Sequence, residues 1–166
     1  MNQTVRSFEV VALLALTAVT ESLFANYLPV ALYLDLPLIF TLYVGWYSSP
    51  PRGAVCGMGF GLLQDAISGI YLGLNGLTKT LMGFGASYLS KWLLTEGLLA
   101  RSVLIGVLSL ADDLMVVGIR ALLGQTIQLE IWLRILFGIP ITGVAGGIFF
   151  FIYDRFKFPK KDFSQI

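Results

Sequence analysis

Apolar residues run along this chain in long blocks, separated by short polar or Gly/Pro-containing breaks. The blocks cover residues 7–25, 28–48, 53–69, 72–93, 99–123 and 132–153. Each comes close to the roughly 20 residues an α-helix needs to cross a bilayer. The pattern predicts one all-α integral membrane domain over residues 1–166, a bundle of about six transmembrane helices. Asp35 and Pro37 interrupt the second block, which is expected to be short or kinked, and Pro50-Pro51 ends it. Pro140 is the expected kink of the sixth, since neighbours can re-satisfy backbone groups that proline frees. The first block carries Glu21 and no small-residue cleavage signal, so it reads as a retained helix and not a signal peptide.

Within the third block Gly53, Gly57, Gly61, Asp65 and Gly69 recur every four residues, and the fourth answers with Asn75, Lys79, Gly83 and Ser87. That spacing places successive members close together on one helix face. Small residues let backbones approach closely, which is how helices associate in lipid. A charge inside a span costs roughly 2.5–3.5 kcal/mol on insertion scales and needs a reason. Asp65 and Lys79 lie at matching depths on two helices joined by a short turn, so an Asp65–Lys79 ion pair is expected, with Glu21 as the rival partner. The pair could serve as a proton or ion relay or a substrate anchor. A clamp fixing helix register is favoured, because glycines crowd the same face.

The fifth block has a polar stripe of Ser102, Gly106, Ser109, Asp113 and Arg120, with Asp112 turned about 100° from it. Asp112 and Asp113 either bind a cation or proton or bond to a neighbouring helix, and the second reading is favoured. In the sixth block the run from Gly143 to Gly147 could receive the helix of a partner or pack within the bundle.

Composition agrees with a membrane setting: 57% of residues are hydrophobic and 13% charged, where a soluble domain is about one-quarter charged. The net charge of +1 argues against nucleic acid as a partner. One cysteine, Cys56, and no histidine argue against a zinc or copper site, and no metal or cofactor is expected. With the N-terminus in the cytoplasm, eight of the eleven basic residues fall inside, Arg120 and Arg134 fall outside, and Lys79 lies within a span. That asymmetry puts both termini in the cytoplasm. Trp46, Tyr47, Trp92 and Trp132 stand at span ends, where such rings prefer the headgroup level.

An enzyme is not expected, because no nucleophile, base and orienting group can be assembled. Paired intramembrane aspartates can form a protease dyad, but the asparagine-containing motifs of lipoprotein signal peptidases are absent around Asp65 and around Asp112-Asp113. Ser87 and Lys91 share a face, but Lys91 belongs at the membrane edge.

The stretch Gly61-Leu62-Leu63-Gln64-Asp65-Ala66-Ile67-Ser68-Gly69, followed by Leu72-Gly73-Leu74-Asn75-Gly76-Leu77, resembles the rod shape-determining protein MreD family of bacteria. Asp35-Leu36-Pro37, the total length and the short basic tail also fit, whereas Lys79 is no part of the resemblance. The resemblance implies a non-enzymatic component of the cell-elongation machinery in the cytoplasmic membrane. It implies binding to the single-span scaffold MreC. Through MreC it implies association with RodA, penicillin-binding protein 2 and, indirectly, the MreB filament. The family is also distantly similar to the six-helix substrate-binding subunits of energy-coupling-factor vitamin transporters, which supplies an alternative function. A vitamin binder would need an outward cavity, for which Asp35, Asn75 and Trp132 are the candidate lining.

Overall fold

The computed structural model describes residues 7–27, 33–68, 72–93, 97–125 and 129–157. These residues form six α-helices: α1 (Ser7–Tyr27), α2 (Leu36–Trp46), α3 (Pro50–Ser68), α4 (Leu74–Leu89), α5 (Leu98–Leu122) and α6 (Leu129–Lys157). The starting part of the second expected span, residues 28–32, and Gly69 lie outside the described residues. The helix of α6 continues through Pro140.

The short α2 is the axis of the bundle. Its 11 residues rise about 16 Å. The sequence sets its start: Asp35 caps it, with Oδ1 accepting from the Leu38 N–H at 2.9 Å, and Pro37 sits in the first turn where it sacrifices no helical bond. Every residue from Pro37 to Gly45 is buried. A helix that is apolar on all sides is stable only when covered on all sides, and here α1, α3, α4, α5 and α6 supply the cover. Tyr43 is fully buried and meets the rings of Tyr47, Phe149, Phe150 and Tyr153 at centroid distances of 5.0–5.4 Å, a range in which edge-to-face pairs are favourable.

The helices alternate in direction. Gly53 of α3 faces Gly83 and Ser87 of α4, and Gly61 faces Asn75, so α3 and α4 are antiparallel. Ser102 of α5 faces Gly147 of α6, and Gly106 faces Gly143, so this pair is antiparallel too. Gly45 at the end of α2 meets Ala86 near the end of α4, and Glu9 at the start of α1 interacts electrostatically with Tyr43 and Tyr153. One end of the bundle therefore collects the starts of α1, α3 and α5 and the ends of α2, α4 and α6. Arg52, Lys91, Arg101 and Arg155 stand at that end, and Arg120 and Arg134 at the other.

Among the described residues, two helices are long and apolar enough to cross a membrane: Leu98–Leu122 and Ile131–Arg155. Only 17% and 33% of their most apolar stretches are buried within this chain. Val103, Val107 and Leu114 of α5 and Leu136, Val144 and Phe151 of α6 face outward, as do Val55 and Met58 of α3 and Leu81 and Phe84 of α4. The interior holds Asp35, Asp65, Lys79, Asp112 and Gln64, with buried threonines and serines around them. Buried charges thus share the interior with the apolar core, while the outer faces of α3, α4, α5 and α6 are rich in apolar side chains.

Candidate functional site

Two glycine rows fuse α3 to α4. A Cβ added at Gly53 would stand 2.6 Å from Ser87 Oγ, one at Gly57 2.7 Å from the Lys79 carbonyl carbon, and one at Gly61 2.6 Å from Gly76 Cα. Three successive turns of α3 therefore touch the backbone of three successive turns of α4. Thr41 of α2 plugs the junction, its methyl 3.1 Å from the Cβ position of Gly57 and 3.2 Å from that of Gly83. The Ser87 hydroxyl ties in α2 by donating to the Gly45 carbonyl at 2.7 Å. All the members of these rows that the structure describes are engaged within the chain, so this face is not open to a partner helix. On the sixth helix Gly143 and Gly147 pack on Ser102 and Gly106 of α5, which is the within-bundle use of that run.

Asp65 does not pair with Lys79. Its carboxylate turns instead to the α3–α4 connection. Oδ2 accepts from the backbone N–H of Gly73 at 2.8 Å and of Gly76 at 3.1 Å. Oδ1 accepts from the Asn75 N–H at 3.1 Å and the Asn75 side-chain amide at 2.8 Å. The first N–H groups of a helix lack intrahelical partners and carry the positive end of its dipole, so a carboxylate is well placed there. Gly73 adopts φ +100°, a left-handed conformation that glycine takes without a Cβ clash. Asp65, Gly73, Asn75 and Gly76 thus form an anion cap at the start of α4.

Lys79 is fully buried and is claimed by two other carboxylates. Its Nζ lies 3.0 Å from Asp35 Oδ2 and 3.2 Å from Asp112 Oδ2. The cap of α2 delivers Asp35 to this point, because α2 begins inside the bundle and not at its end. Thr142 of α6 adds to the site by accepting from the Asp35 N–H at 3.2 Å, and Arg134 reaches Asp35 Oδ2 at 3.9 Å. Four helices meet at this cluster. Removing one partner from a buried ion pair typically costs 3–5 kcal/mol. The side chain of Glu21, the rival partner, lies outside the described residues.

Ser102, Gly106 and Ser109 of the stripe expected on α5 pack within the bundle, whereas Asp112, and not Asp113, is the buried acid of that helix. Its buried face is Ile105, Ser109 and Asp112, and Asp113 is only partly buried beside them, within electrostatic range of Arg134 and Asp35. A second polar clasp lies at the other end of the helices. Asp154 Oδ2 accepts from the Tyr47 hydroxyl at 2.6 Å and pairs with Arg101, tying α2, α5 and α6 together. The sequence reading missed Asp154 and Thr142. An acid in a segment otherwise selected for basic residues was the available signal for Asp154, and an isolated threonine in an apolar helix gives no comparable signal.

The arrangement can hold helices in register and keep charge inside an apolar shell. Asn75 and Asp35, candidates for lining a ligand cavity, are spent on Asp65 and Lys79, and Trp132 is half exposed. Comparison with family models, curated proteins and solved structures finds no match.

Proposed function

We propose that this chain is a six-span protein of the bacterial cytoplasmic membrane and a non-enzymatic scaffold of the cell-wall elongation complex, similar to the MreD family. The observation that carries the membrane reading is the outer surface, where Val, Leu and Phe stand exposed along the helices while ion pairs are held inside. Such a surface suits lipid and not water. The alternating helix directions favour six crossings, α2 being the short one. The positive-inside rule supports a cytoplasmic assignment for the end that gathers Arg52, Lys91, Arg101 and Arg155, the end at which α1 starts and α6 finishes.

The scaffold reading draws on two further features. The segment that resembles the MreD family is the anion-capped turn of Asp65, Gly73, Asn75 and Gly76, so the resemblance falls on residues with a shared structural task. The interior polar groups are used on one another and the α3–α4 backbones are in direct contact, an economy that suits a rigid packing module. The glycine rows being occupied, an MreC-like single-span partner would meet an outer apolar face. RodA, penicillin-binding protein 2 and the MreB filament would join through it.

The test is native purification. The chain, tagged at its C-terminus, is extracted in mild detergent, and co-purifying proteins and small molecules are identified by mass spectrometry. Recovery of a single-span scaffold with wall-synthesis enzymes is the expected result. Recovery of an ATPase module or a stoichiometric vitamin would replace this reading with that of a transporter's substrate-binding subunit.

A further inference from the structure

The cluster around Lys79 does not balance in charge. Two cations, Lys79 of α4 and Arg134 of α6, face three carboxyls: Asp35 of α2 and Asp112 and Asp113 of α5. Lys79 and Asp112 are almost completely buried, and a net charge in such a place is costly. One proton removes the imbalance.

The hydrogen bonds indicate where it sits. Both oxygens of Asp35 are used, Oδ1 by the Leu38 N–H and Oδ2 by Lys79. Asp113 has access to the surface. Asp112 uses only Oδ2, toward Lys79, while its Oδ1 is buried and has no hydrogen-bond partner among the described residues. An ionised carboxylate oxygen left bare in the interior forfeits its hydration with no return. Thr78 of α4 is the polar neighbour of this carboxyl. Its hydroxyl donates to the Asn75 carbonyl at 3.3 Å, which leaves the hydroxyl oxygen able to accept.

We infer that the Asp35–Lys79–Asp112 cluster is a proton-binding site, with the proton held on Oδ1 of Asp112. The site lies where the α5–α6 hairpin meets α2 and α4. That seam carries the polar contacts Lys79–Asp112, Asp35–Thr142 and Arg134–Asp35 in the interior and Tyr47–Asp154–Arg101 at the end, beside the packing of Phe40 and Tyr43 on Phe149 and Phe150. Gain or loss of the proton therefore acts on the contact between two parts of the bundle. The inference does not depend on the elongation reading, since it rests on burial and bonding within the chain.

Infrared difference spectroscopy of the whole protein in lipid nanodiscs tests it. The carbonyl stretch of a protonated carboxyl is separate from the amide bands and shifts in heavy water. At neutral pH the wild type is expected to show this band with slow exchange. Asp112→Asn should lose it, and Asp113→Asn should keep it. Absence of the band from the wild type, or its survival in Asp112→Asn, would overturn the inference. So would a band that disappears when sodium replaces choline in the buffer, which would make the site one for a metal cation. Because the wild-type spectrum is decisive alone, a variant that fails to fold does not shield the inference.

Discussion

Replacing Gly57 by alanine adds one methyl group, and the structure gives that methyl nowhere to go. Its carbon would lie 2.7 Å from the Lys79 carbonyl carbon, where ordinary contact starts at 3.4 Å, and closer still to the carbonyl oxygen. The obstacle is backbone, which cannot rotate aside as a side chain can. Either α3 and α4 separate by the difference, loosening Gly53, Gly61 and the Thr41 plug with them, or the helices bend. Overpacking of a filled interior costs about 1–3 kcal/mol, and rigid backbone on both sides puts Gly57→Ala near the upper figure. Alanine returns about 0.5–1 kcal/mol through its better helix propensity. The net is a loss of about 2 kcal/mol, near the thirtyfold end of the change in folded fraction that such an energy produces. Gly85 of α4 is the control, because a Cβ there meets nothing within 4 Å. Gly85→Ala should be neutral or slightly stabilising. The assay is reversible denaturation of the protein in mixed micelles, with the two variants side by side. Equal stability of Gly57→Ala and Gly85→Ala would refute the backbone-contact account of the glycine rows.

Asp65→Ala leaves four donors without their acceptor and should cost about 3 kcal/mol. Adding Lys79→Ala should deepen the loss, and a double variant more stable than Asp65→Ala would restore the direct pair. Lys79→Met should cost about 3–5 kcal/mol by stranding two buried carboxyls. The triple variant with Asp35→Asn and Asp112→Asn should recover much of that in the same denaturation assay, and no recovery would show that charge is not what the cluster balances. Tyr47→Phe removes a hydroxyl that donates to Asp154 and should lower stability by about 1 kcal/mol, read as a drop in melting temperature in detergent.

Much of the bundle was legible in the sequence, for identifiable reasons. The four-residue rows on α3 and α4 mark helix faces because small residues at that period can only serve close packing. Asp35 and Pro37 were legible as an interruption of the second block, and they prove to be the cap and first turn of a short α2. The partner of Lys79 was not legible. Depth was judged from helix ends, and α2 breaks that measure by starting inside the bundle, which brings Asp35 to the lysine. Asp65 lies one turn nearer the connection, where backbone donors claim it first. On α5, Asp112 and Asp113 continue polar spacings of similar quality, and only the packing of Ile105 and Ser109 against neighbours shows which acid is buried. Asp154 joins Tyr47 across 107 residues, a pairing that local periodicity cannot show.

The central claim is that a rigid membrane bundle presents its outer apolar faces to a single-span partner. A photo-reactive amino acid installed at the outward positions Val55, Phe84, Val107 and Phe151, and at buried Leu38 as control, tests it in living cells. The account predicts adducts with one single-span protein from outward positions of neighbouring helices, and none from Leu38. Outward positions that yield only lipid adducts would contradict it.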